Sequence, residues 1–142
     1  RWSGNPVEQQ ASHLASAANA YEQILPLFPA DAVRDLGVTH HQLGVVYTES
    51  GDVDGALQHY RQSIQCHERW ANRYGAAQSR EAAAIALYRT GRIGEALLYA
   101  RAALRDFEAV GLGATVNAER THQFIALLEQ KPQGEPEGNT DA

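Results

Sequence analysis

The 142 residues carry twelve Lys and Arg against seventeen Asp and Glu, a formal net charge of −5. One lysine, Lys131, and arginines spread singly exclude the clustered basic surface needed to displace counterions from nucleic acid. The lone Cys66 excludes a disulfide-stapled secreted domain and points to the cytoplasm, and no apolar run approaches the roughly 18 residues of a membrane span.

The chain opens Arg1-Trp2-Ser3 and contains no methionine, the expected look of a segment of a longer polypeptide. Residues 1–5 read as a short extension. Asn5 can cap a helix whose first residue is Pro6, and Glu8 can reach back to the cap, so a helix is predicted over 6–25. Its apolar residues Val7, Leu14, Ala17, Tyr21, Ile24 and Phe28 recur at three, four and seven, which makes one stripe. Pro26 and Pro29 end it.

A second helix is predicted over 31–49, with Val33, Leu36, His40, Leu43, Gly44 and Tyr47 on one face. Gly51 stops it, and Asp52 caps a third helix over 53–71 whose stripe is Ala56, Leu57, Tyr60 and Ile64. The pattern breaks between Asn72 and Gly75. A fourth helix follows over 76–90, a fifth over 92–110 and, after Gly111 and Gly113, a sixth over 115–130. From Lys131 to Ala142 the composition turns to Pro, Gly, Glu and Asn, so 131–142 reads as a disordered acidic tail. No strand-like alternation occurs, and the short turns make the expected architecture all-α with antiparallel helix pairs.

Forty residues separate Ala56 from Ala96, and the same interval relates Leu43, Gly44, Tyr47, Gly51 and Tyr60 to Ala83, Ala84, Leu87, Gly91 and Ala100. A fixed period of this size means a stacked array in which each unit buries its apolar face on its neighbours. The order large apolar, small, aromatic (Leu43, Gly44, Tyr47), then small, aromatic, small (Ala56, Tyr60, Ser63), resembles the tetratricopeptide repeat family over about Ala17 to Gln130. Ala17, Tyr21 and Pro29 supply the second half of an earlier unit, and Ala84, Leu87, Ala96 and Ala103 a later one. His40 and Arg80 stand where the family places Trp, and the period exceeds its usual 34 or so. The last helix admits two alignments, matching Leu127 to Leu87 or moving Ile125 into the small-residue position, and reads equally as a terminal cap.

The resemblance implies a right-handed α-solenoid of about six helices acting as a protein–protein interaction module. The long period is similar to that of sensor segments in bacterial signal-transducing ATPases and regulators, which implies a scaffold or sensor within a larger cytoplasmic regulatory protein. The family's concave face would show His41, Val45, Thr48 and Glu49 from one unit and Gln78, Glu81, Ile85, Tyr88 and Arg89 from the next. That mixed surface suits a peptide or partner domain, and it lacks the Lys, Asn and Arg set of the family's carboxylate clamps. The structural alternative is a homodimer formed through exposed solenoid ends.

No chemistry is expected of the chain. His40-His41 and Cys66-His67 are adjacent on helices and point about 100° apart, so neither pair can ligate one ion; His40 reads as a packed interface residue and the other histidines as surface groups. Glu22, Glu49, Glu81 and Glu95 are scattered, Cys66 reads as a partly buried filler, and Gly111-Leu112-Gly113 lacks the strand that precedes a phosphate loop. The expectation is a non-enzyme without metal or cofactor.

Overall fold

The computed structural model describes residues 5–132. Its helices are α1 (Pro6–Ile24), α2 (Val33–Glu49), α3 (Val53–Arg69), α4 (Arg73–Arg89), α5 (Ile93–Val110) and α6 (Thr115–Glu129), with 3-10 turns over Leu25–Leu27 and Leu112–Ala114. Helices pack on their chain neighbours, most extensively α2 on α3 and α4 on α5, which is the sequential pairing of a tetratricopeptide-like solenoid. Apart from Asn5, Lys131 and Pro132, the segments read as an extension and a disordered tail lie outside the described residues.

The helix starts follow from side-chain caps. Asn5 Oδ1 accepts the Glu8 amide at 2.8 Å and the Glu8 carboxylate accepts the Asn5 amide, a reciprocal capping box. Asp52 accepts from Gly55 at 2.9 Å, and Asn72 accepts from Gly75 at 3.0 Å in the same way. The fourth helix therefore begins at Arg73, three residues before the expected Ala76. Asn72 and Gly75 are the cap and its donor, and no break separates them.

Four turns pass through a residue with positive φ. Gly51, Ala71, Gly91 and Gly111 have φ of 85°, 58°, 79° and 88°. After the first three, a backbone bond runs back five residues (Asp52 to Tyr47, Asn72 to His67, Arg92 to Leu87), which satisfies carbonyls a helix end leaves open. The helices thus turn back at twenty-residue intervals, half the repeat.

The core is made largely of small residues. Leu43, Ala56, Leu57, Tyr60, Ala83, Ala84, Leu87, Ala96, Leu97 and Ala100 are buried, and a second cluster joins Ala77, Ala103, Phe107 and Ala114. Tyr47 is half-buried; its ring stacks on His59 of α3 with centroids 5.2 Å apart, and its hydroxyl donates to Glu22 of α1. A three-helix core of charge binds α3, α4 and α5: Arg80 meets Glu68 at 2.7 Å and the buried Asp106 at 2.6 Å, and Arg73 reaches the same Asp106 at 3.1 Å. Burial works against the Arg80 charge, but hydrogen bonds to Glu68 and the nearby Asp106 carboxylate outweigh it and hold the pKa above its ordinary value.

The last helix follows neither expected alignment. Glu68–Arg80 recurs as Glu108–His122 at 3.3 Å, so the acid has moved on by forty residues and its partner by forty-two. On that register Thr121 takes the buried place of Ser79, Ile125 that of Ala83 and Leu128 that of Ala86. The 3-10 turn at Leu112–Ala114 accounts for the two added residues. The α4 face that meets α5, formed by Ala77, Arg80, Ala84 and Leu87, becomes Glu119, His122, Ala126 and Glu129 on α6, all exposed. A polar outer face of this kind is what a capping helix carries.

Candidate functional site

Val45 on α2 and Ile85 on α4 occupy equivalent places and are each 37% exposed. Their neighbours fall into two groups. Glu49 and Arg89 pair with each other across the two helices at 3.0 Å. Gln78 is exposed without a side-chain partner among the described residues.

The remaining expected groove residues are held within the fold. His41 Nδ1 lies 2.8 Å from the buried Ser79 hydroxyl. Thr48 donates to the Gly44 carbonyl at 2.8 Å and lies 3.3 Å from the Tyr60 hydroxyl. Glu81 receives Arg120 of α6 through contacts of 2.8 and 3.1 Å and Thr121 at 3.3 Å. Tyr88 meets the Phe124 ring edge-on at 5.6 Å, and the Lys131 ammonium lies 5.7 Å from its centroid. Polar ladders between successive first helices therefore occupy several groups that the sequence offers as fixings for a ligand.

Two neighbours belong with Val45 and Ile85. Val38, at the place equivalent to Gln78, is 49% exposed, and Gln42 is exposed one turn later. The forty-residue spacing from Gln78 was the available signal for Val38. A groove of about 480 Å³ opens farther along, lined by Tyr88, Arg89, Gly91, Ile93, Lys131 and Pro132.

The histidines divide differently from expectation. His13 and His122 are exposed, whereas His41 and His59 are half-buried and His67 is buried, which corrects their reading as surface groups. His40 and His59 stack with centroids 5.2 Å apart and Nδ1 atoms 3.0 Å apart, one ring donating to the other. Burial, reinforced by His59, lowers the His40 pKa to about 4. Burial also lowers His41, His59 and His67, so the interior imidazoles are held neutral.

His67 fills the space between two glycines. A Cβ on Gly75 would lie 2.6 Å from its Nδ1 and one on Gly37 3.4 Å from the ring. The His41–Ser79 contact has the atoms of a nucleophilic pair without the access. Ser79 is fully buried and its hydroxyl also meets that of Ser63 at 2.9 Å. Cys66 is half-buried beside Gly37, and burial raises its thiol pKa. Among the described residues no three His, Cys, Asp or Glu side chains converge as metal ligands, and no helix is long and apolar enough to cross a membrane.

A family model described as tetratricopeptide repeat matches residues 35–109, just over half the chain and nearly all of α2 to α5. No curated protein and no solved structure matches the chain.

Proposed function

The chain belongs to the tetratricopeptide repeat family, and from that premise we propose that it holds a peptide or a partner domain on the open face of α2 and α4. The observation that carries this reading is the repeated exposure of Val45 and Ile85 at one place in successive units. Tyr88 extends the apolar row, with the Glu49–Arg89 pair, Thr48, His41, Gln78 and Glu81 along its margins. Such alternation of apolar contact and polar margin is what an extended or helical segment requires.

On this reading the module is a scaffold or sensor in a larger cytoplasmic regulatory protein, and the forty-residue period is the feature that supports a bacterial regulator. Val45→Ser together with Ile85→Ser removes the apolar row from side chains that are partly in water, so the melt should move little. Capture of the partner that co-purifies with the full-length protein should fall at least tenfold. Undiminished capture would remove the open face as the site.

The structural reading, a homodimer through the array's ends, draws support from the exposed Val7 on α1. The polar outer face of α6 counts against a symmetrical use of both ends. Sedimentation over a hundredfold concentration range separates the readings, because a monomer throughout eliminates the dimer.

A further inference from the structure

Alone among the helices, α1 buries no residue. Its stripe Val7, Ala11, Leu14 and Ala18 forms one wall of an open cleft of about 510 Å³, with Tyr47, Glu49, Ser50 and Asp52 opposite. Val7 is 77% exposed at its mouth. The stripe recurs at helical spacing and runs roughly 17 Å, about three helical turns.

The charged side chains that line the cleft, Glu49 and Asp52, are both carboxylates, and no Lys or Arg lies between Asn5 and Val33. Asp52 spends one carboxylate oxygen on the Gly55 amide and has no ion-pair partner among the described residues, and Glu49 adds a carboxylate already shared with Arg89. An apolar wall facing an acidic rim selects a ligand that is apolar on one side and cationic on the other.

We infer that the cleft between α1 and α2 is a docking site for a cationic amphipathic helix of about three turns from a partner protein. Its apolar residues cover the Val7–Ala18 stripe and its Lys or Arg groups meet Asp52 and Glu49. The cleft shares Glu49 with the open face but none of its apolar residues, so the two apolar walls can be removed independently.

The test is fluorescence anisotropy at about 0.15 M salt, where long-range attraction to an acidic protein is largely screened. The probe is a labelled amphipathic peptide of about four turns made of Leu and Lys, with a Leu and Glu peptide of the same pattern as control. The Leu/Lys peptide should bind saturably and the Leu/Glu peptide at least tenfold more weakly. Val7→Ser with Ala11→Gln should weaken Leu/Lys binding about tenfold, and so should Asp52→Asn, which keeps the α3 cap; circular dichroism checks that both remain helical. Val45→Ser with Ile85→Ser should leave it unchanged. Equal binding of the two peptides, or wild-type affinity in either cleft variant, overturns the assignment. A concentration-dependent dimer abolished by Val7→Ser also overturns it, by seating a second copy in the cleft.

Discussion

Gly44 lies directly against the ring of Tyr60: a Cβ built on the glycine would stand 2.4 Å from Cε1 and 2.6 Å from Cδ1. Intrinsic propensity favours alanine over glycine inside a helix by about 1 kcal/mol. Here sterics oppose it, since Tyr60 is fully buried and its ring cannot simply move into solvent. Gly44→Ala should therefore destabilise the domain by about 1 kcal/mol net, and Gly44→Leu by about 1–3 kcal/mol. In a Tyr60→Leu background the Ala substitution should cost less, and a thermal double-mutant cycle showing no coupling would disprove the contact.

Ala71 is the one non-glycine among the described residues with positive φ, at 58°, in a turn whose counterparts are Gly51, Gly91 and Gly111. A Cβ in the left-handed region costs roughly 1–2 kcal/mol, partly regained because glycine loses more freedom on folding. Ala71→Gly should stabilise by about 0.5–1 kcal/mol. A lower melting temperature would mean that the turn draws on the Ala71 methyl for packing.

Asp106 is buried with two arginines on it, so removing it strands the half-buried Arg80 with only the exposed Glu68. Loss of one partner from such a network costs more than the pair contributes, because the remaining charge keeps its desolvation cost. Asp106→Ala should lose about 2–3 kcal/mol in denaturant titration, while Glu49→Ala, from an exposed pair, should lose under about 0.5. Equal losses would show that the Arg80 network is solvated.

His40 titrates near 4 in the folded chain against 6.5 for the free group. A depressed histidine pKa means that the unfolded chain takes up the proton first, so folding loses stability as pH falls. The loss should begin near 6.5 and level off near 4, with His41, His59 and His67 shifted the same way. Glu22 opposes the shift at His59, so that site contributes less. Stability from denaturant titration should fall by about 3 kcal/mol over that window, and by clearly less in His40→Gln; a flat profile would contradict neutral packing of the pair.

Much of this architecture is written locally. The Asn5–Glu8 box, the Asp52 cap and the glycines at 51 and 91 act within a few residues of themselves, which is why the helix ends around them could be read from the chain. Gly75 misled for the opposite reason. It looks like a helix breaker, but its missing side chain admits His67, eight residues earlier on another helix. For the residues expected to line a groove, the sequence shows positions but not whether the groups on them are free. Glu81 is taken by Arg120 and Glu49 by Arg89, and recognising those pairs requires the register between repeats. Complementary charges about forty residues apart were the signal.

That register makes its sharpest claim at α6. If α6 is offset from α4 by forty-two residues, Ala126 has the place of Ala84 but no following helix against it among the described residues, and Ile125 lies in the core on α5. Ala84→Leu should overpack the α4–α5 contact and cost about 1–3 kcal/mol, whereas Ala126→Leu should shift stability by less than about 0.5. Ile125→Ala should cost about 2–4 kcal/mol through the cavity it leaves. Under either of the other alignments Ala126 leaves the small-residue place, and no relation to Ala84 would be expected. Equal destabilisation by Ala84→Leu and Ala126→Leu in urea would place a packed surface over Ala126 and remove α6 as the cap of the array.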